Sequence, residues 1–193
     1  TAIADTNALG TKNQSEFDAL GRLSKYIDAN NGETRYTYNA DDQITSVTDP
    51  EGKKTEYKYN YFGDLEKIIS PDTGTTTFVY DQAGNRTQSK NANNEITTYQ
   101  YDAQNRLTLE TYHDNSTVEY RYDLSSSANS VGRLSDVTDR QGHVTTYHYN
   151  AAGEVVKRVV SQGDSSSSNT NTANTNTEWH YAANGQLQAM VYP

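Results

Sequence analysis

The residues of this chain that could do chemistry recur at fixed intervals. An acidic or amide residue stands at Asp18, Asn39, Asn60, Asp81, Asp102, Asp123 and Asn150, and Ala182 breaks the series. Such a row could supply cation ligands or acid/base groups. Asp and Asn interchange freely within it, however, and neither a general acid nor a calcium-binding carboxylate tolerates replacement by an amide. The better reading is that these side chains accept hydrogen bonds from the N–H groups of turns. The histidines are His113, His143, His148 and His180. His148 and His180 occupy equivalent positions in neighbouring copies of a repeat, but an alternating meander places a strand between them. A gap of about 9.6 Å does not suit two zinc ligands whose nitrogens lie about 2 Å from the metal. Cysteine is absent, which removes thiolate nucleophiles, disulfides and Cys-ligated metals. No Ser/His/Asp grouping, G-x-G-x-x-G or P-loop is readable. The sequence therefore predicts no catalytic, metal or cofactor site, and an enzyme is the least favoured class.

Aromatic residues are the remaining candidates. Seven copies carry a T-x-Y-x-Y pattern, with Val118 in place of one threonine, and the first copy degrades it to Ser15 and Phe17. The aromatic pairs are Tyr36 and Tyr38, Tyr57 and Tyr59, Phe78 and Tyr80, Tyr99 and Tyr101, Tyr120 and Tyr122, Tyr147 and Tyr149, and Trp179 and Tyr181. Period two with β-branched and aromatic residues is a strand signal and places the rings on one face. The alternate positions are polar, for example Glu56 and Lys58 or Thr146 and His148, so one face is aromatic and the other wet. The rings read as a structural ladder that supplies most of the burial, at roughly 4 to 6 kcal/mol each by area as an upper bound. They could instead form a sugar-binding platform. Tyr61 and Phe62 in a turn, and Tyr112 beside His113, fall outside the ladder register and are better candidates for ligand contact; turn packing explains them equally.

Turn residues space the strands. Counting from the anchors Phe17, Tyr38, Tyr59, Tyr80, Tyr101, Tyr122, Tyr149 and Tyr181, the first five intervals are 21 residues, the next 27 and the last 32. The two longer intervals coincide with insertions at 124–131 and 161–177, the second of which, Ser161 to Thr177, reads as a flexible excursion. Beyond each anchor comes Gly21, Asp42, Gly63, Gly84, Asn105, Gly132, Gly153 or Gly185, drawn only from residue types that tolerate a left-handed backbone. A second set of such positions, Gly10, Asn31, Gly52, Thr73, Asn94, Asn115, Gly142 and Asn174, lies seven residues before the anchors, with Gly74 following the exception at Thr73. Apolar side chains return two residues past the first turn at Leu23, Ile44, Leu65, Leu107, Leu134, Val155 and Leu187, with Arg86 the one failure. Their spacing of three to the next apolar position suggests a bulge. The expectation is an all-β array of about eight 21-residue β-hairpin repeats, one domain over 1–193, forming a curled antiparallel strip or shell segment of about 16 strands. The copy with Arg86-Thr87-Gln88-Ser89-Lys90 has no apolar residue in its second strand and should pack least well or meet a partner.

The bulk composition agrees. Only 33% of the 193 residues are apolar and mean hydropathy is −0.95, too polar for a conventional two-layer globule. Net charge is −9 with scattered basic residues, which disfavours nucleic acid as a partner. No apolar run reaches the roughly 18 residues of a membrane span, and Thr1-Ala2-Ile3-Ala4 is not a signal peptide. The absence of an initiator Met, with Met190-Val191-Tyr192-Pro193 in mid-repeat, reads as an excerpt from a longer polypeptide or a processed product.

The pattern Tyr-x-Tyr-Asp-x-x-Gly-Arg-Leu, with a further Asp-x-x-Gly after it, resembles the YD-repeat or rearrangement-hot-spot (Rhs) family over about residues 7–193. The best copies are Tyr99 to Leu107, Phe78 to Gly84, and Val131-Gly132-Arg133-Leu134 with Asp139 to Gly142. The resemblance implies a β-strip that spirals into a hollow shell, enclosing a toxic C-terminal domain in bacterial polymorphic toxins and insecticidal toxin complexes and forming the barrel of animal teneurins. It also implies secretion or display on a bacterial surface. A toxin domain and a closing core segment with autocleavage aspartates are not in this stretch, and Asp49-Pro50 is the turn of an ordinary repeat. The expected function is therefore structural wall material, whose partners are the rest of a larger chain or a toxin cargo. The alternatives are a cell-surface adhesion or carbohydrate-binding module that contacts glycans, and a self-assembling polymer subunit that associates through strand edges.

Overall fold

The computed structural model describes residues 2–6, 12–127, 129–161, 175–182 and 184–192. The fold is all-β, with two compact units divided between Ile96 and Thr97. The first contains β1 (Ala2–Thr6), β2 (Lys12–Phe17), β3 (Leu23–Ile27), β4 (Glu33–Tyr38), β5 (Ile44–Thr48), β6 (Lys54–Tyr59), β7 (Leu65–Ser70), β8 (Gly74–Tyr80) and β9 (Arg86–Lys90). The second contains β10 (Ile96–Tyr101), which starts at the boundary, β11 (Leu107–Thr111), β12 (Thr117–Tyr122), β13 (Leu134–Thr138), β14 (Val144–Tyr149), β15 (Val155–Ser161), β16 (Thr175–Tyr181) and β17 (Leu187–Val191). Within each unit every strand pairs antiparallel with its sequence neighbours. Among the described residues no helix is long and apolar enough to cross a membrane.

One bulge recurs in every repeat. Tyr36 faces Val47 and Tyr38 faces Ile44, so Thr45 is the extra residue opposite the Thr37–Tyr38 step. The same shift gives Tyr57 with Ile68 and Tyr59 with Leu65, and Tyr120 with Val137 and Tyr122 with Leu134. An inserted residue flips the facing of every later residue in its strand. Apolar positions spaced by three thereby return to the aromatic face, which is what that spacing in the second strands signals.

Three features depart from the sequence reading. The ladder rings are half-buried, and among the described residues no apolar side chain is buried completely. A single sheet covers its aromatic face only with neighbours in that sheet, so the area-based value per ring is an overestimate. The buried side chains are instead polar, Ser46, Ser127, Ser130, Ser135, Asp136 and Thr177. Four of these lie around the first insertion: Leu124 N donates to Ser135 Oγ at 2.9 Å, and Ser130 Oγ donates to Leu124 O at 2.6 Å. The described residues of that insertion, 124–127 and 129–131, fold back on the sheet. Strand pairing also extends into the stretch read as the second insertion, because Ser161 pairs with Val144 and Thr175 with Val160. Residues 162–174 of that insertion, which include the turn position Asn174, and the turn position Gly10 lie outside the described residues.

The strand without apolar side chains, β9, pairs along its length with β8, and the Arg86 guanidinium lies 5.4 Å from the Phe78 ring centre. The boundary between the two compact units comes shortly after it.

Candidate functional site

The structure gathers the repeating polar residues into one device at the turns. Asp18 Oδ1 accepts from the N–H groups of Leu20 and Arg22, both at 2.9 Å. Asn39, Asn60, Asp81 and Asp102 accept from the two equivalent N–H groups of their own turns. Asp123 caps Gly132 across the insertion, and Asn150 caps Glu154. The opposite turns repeat the device with Asp28, Asp49, Asn91 and Asp139. An amide oxygen does this work as well as a carboxylate, which is why Asp and Asn interchange. Backbone donation from Arg22, then its guanidinium, holds the Asp18 carboxyl below its usual range.

Gly21, Gly63, Gly84, Gly132, Gly153 and Gly185 have φ between 77° and 89°, and Asn105 has φ 60°. At Gly63 a Cβ would lie 3.3 Å from Gln43 Nε2, which donates to the Gly63 carbonyl at 2.7 Å. Side chains just past the turn thus reach the next repeat. Arg22 pairs with Asp18 at 2.8 Å and with Asp42 at 2.7 Å, while its guanidinium stacks 4.7 Å from the Tyr38 ring centre. Arg106 repeats this with Asp102, Asp123 and Tyr122 at 2.7, 2.8 and 4.3 Å.

A second link runs from the ladder itself. The hydroxyls of Tyr38, Tyr59, Tyr80, Tyr122, Tyr149 and Tyr181 donate to the carbonyls of Leu23, Ile44, Leu65, Leu107, Leu134 and Val155 at 2.7 to 3.1 Å. Each acceptor is the first residue of the preceding repeat's second strand, beside its bulge. The sequence reading missed this link, although a signal was present. Tyrosine fills the second ladder position from Tyr38 to Tyr181 without exception, whereas the first admits Phe78 and Trp179. A ring alone satisfies the first position; the second needs a hydroxyl.

The three candidate contact residues separate. Tyr61 and Phe62 are 98% and 86% exposed, with ring centres 5.9 Å apart, edge to face. Phe62 also borders an open cleft of about 740 Å³ with Phe78, Val79 and Tyr80. Tyr112 is half-buried; its hydroxyl donates to Glu110 at 2.7 Å and Arg140 lies 4.5 Å from its ring centre. Glu110 stands opposite Tyr99, where other repeats carry Val47, Ile68 or Val137, and also accepts from Tyr120 at 3.0 Å. Burial first, and this carboxylate second, push the Tyr120 hydroxyl up to about 12. Among the described residues no cluster of three or more His, Asp or Glu has metal-binding geometry.

Like hairpins, clipped to their neighbours within each unit by tyrosine hydroxyls and, at Arg22, Gln43 and Arg106, by a further side chain, define a β-hairpin repeat protein. The chain belongs to the RHS Repeat family, which matches residues 17–54, 38–75, 80–117 and 129–165, more than half of its length. No curated protein sequence matches it. Among solved structures, the crystal structure of TcdB2-TccC3-TEV superposes with a TM-score of 0.69 at 19% identity, covering 95% of this chain and 11% of that one. The Photorhabdus luminescens Tc holotoxin pore gives the same score, identity and coverage. At this identity the likeness concerns the fold, and the chain spans about 11% of the length of those solved chains.

Proposed function

We propose that this chain is non-enzymatic wall material, a single array of repeats over 1–193 within a larger secreted or surface bacterial protein, whose shell or scaffold encloses a toxin cargo. The observation that carries this reading is the repeat-to-repeat link through Tyr38, Tyr59 and their equivalents, which spends the polar and aromatic side chains on continuing the sheet. Family membership and the Tc toxin neighbours support it. In the full native polypeptide, a segment held inside the wall resists protease, and the paired substitution Tyr38→Ala with Tyr59→Ala exposes it. Equal cleavage with and without the substitutions refutes enclosure.

A second reading is surface adhesion through glycan contact at Tyr61 and Phe62, favoured by the exposure of both rings beside the open cleft. It predicts glycan binding that disappears in Tyr61→Ala and Phe62→Ala. Self-association through strand edges is a further proposal, for which β17, exposed at all five residues, is the place to look.

A further inference from the structure

The wet face of the first unit carries a row of lysines that no carboxylate bonds among the described residues. Register places Lys58 of β6 directly opposite Lys67 of β7, Lys67 opposite Thr77 of β8, and Thr77 opposite Lys90 of β9. Neighbouring strands lie about 4.8 Å apart, so the row is about 14 Å long. Like charges directly opposite each other destabilise a sheet unless something neutralises them. Glu56, two residues from Lys58, is bonded to Lys54 at 2.9 Å, and Lys58 contributes least of the influences on its carboxyl. Glu95, beyond Lys90, accepts from Asn91 at 2.6 Å. Lys25, Lys53, Lys54 and Lys157 are all ion-paired. Three of the four remaining lysines are those of this row. Glu66, the exposed bulge residue before Lys67, forms no ion pair with the row among the described residues, and in a chain of net charge −9 the row is a local concentration of positive charge.

A second feature adjoins it. A cleft of about 350 Å³ beside Lys90 is lined by Thr75, Thr77, Asn91, Ala92 and Asn94, without an acidic residue. Hydroxyls and amides there can exchange hydrogen bonds with a hydroxyl-rich ligand while the lysines meet its negative charges.

We propose that Lys58, Lys67, Thr77 and Lys90, with the cleft beside Lys90, bind an acidic polysaccharide. Lysine is a compact point charge suited to isolated carboxylates or sulfates along a flexible chain. Nucleic acid fits less well, because single strands are held by stacking on aromatic side chains and the rings of β6 and β8 lie on the opposite face. The site lies apart from the wall-forming contacts and does not depend on the wall reading.

The test uses the 193-residue chain with immobilised dextran sulfate and polygalacturonate, neutral dextran as control, and single-stranded DNA as competitor. Binding is expected to both acidic polysaccharides and not to dextran, and to weaken with salt. Lys67→Gln and Lys90→Gln should each lower affinity at least about fivefold and reduce the slope of log affinity against log salt by about one. Lys54→Gln and Lys157→Gln, which remove paired lysines, should change affinity less than about twofold. Thermal unfolding separates binding from folding: Lys67→Gln relieves repulsion and leaves the midpoint unchanged or raised. Absence of polyanion binding, equal loss in Lys54→Gln, or tighter binding of DNA than of either polysaccharide overturns the proposal.

Discussion

Replacing tyrosine by phenylalanine at the two ladder positions of one repeat separates the role of the ring from that of the hydroxyl. Tyr59 donates to the Ile44 carbonyl at 2.8 Å, whereas the Tyr57 hydroxyl has no partner among the described residues. Tyr59→Phe keeps the ring, opens no cavity, and strands a half-buried carbonyl beside a bulge. A lost intramolecular hydrogen bond costs about 0.5 to 1.5 kcal/mol, and water can reach this carbonyl in part, so about 1 kcal/mol is expected. Tyr57→Phe removes nothing comparable and should stay within about 0.5 kcal/mol. Stability in a repeat array is a sum of local terms, so amide hydrogen exchange in β5, β6 and β7 is the suitable assay. Exchange there should accelerate about fivefold in Tyr59→Phe and little in Tyr57→Phe. Equal effects at the two positions, or a larger effect at Tyr57, would refute the link between repeats.

The same contacts set further outcomes. Gly74→Ala meets a left-handed backbone, φ 75°, and a Cβ only 2.5 Å from that of Ala92; it should cost more than about 1 kcal/mol in denaturant titrations, with strain confined to the turn between β7 and β8. Arg106→Lys keeps the charge but loses the planar stack on Tyr122 and the fork between Asp102 and Asp123, so thermal unfolding should shift down by a few degrees, about 1 kcal/mol. Tyr120 titrates at about 12 when folded, against 10.0 for an unperturbed tyrosine. Its contribution is complete below pH 10 and is lost as pH rises toward 12, so the stability lost across that window should be smaller in Glu110→Gln, where burial alone still raises the hydroxyl, as followed by denaturant titration at pH 9 and pH 12. Asp114, held down to about 2 by the Ser116 hydroxyl and N–H and by Arg140, works in the other direction: its contribution is present above pH 3.8 and is lost as pH falls toward 2, measurable as a fall in stability across that window that is larger than in Asp114→Asn.

Strand and turn positions were legible because both rest on local chemistry. T-x-Y-x-Y specifies a two-faced strand, and Gly, Asn or Asp at the end specifies a left-handed turn. The number of copies comes from counting. Legibility stopped at the bulge. One extra residue in every second strand reverses facing, so period-two reasoning does not place Lys67 or Lys90, and their alignment with Lys58 depends on pairings between residues 9 and 13 positions apart. The contact from Arg22 to Asp42 spans 20 residues and needs the stacking of repeats to be known. Buried serines of the first insertion resembled a polar loop because composition does not reveal which hydroxyls find carbonyl partners. The ladder rings were visible as a face, but sequence does not say whether that face is covered.

If the chain is a section of a wall, the intact mass of the native polypeptide from its own source, combined with electron cryomicroscopy of the same material, tests that claim most directly. The expected result is a chain several times heavier than 21.5 kDa whose repeats line a closed, hollow shell. A native product near 21.5 kDa, or a large chain whose repeats form an open strip with nothing enclosed, would contradict the wall reading and leave adhesion or strand-edge assembly as the explanation.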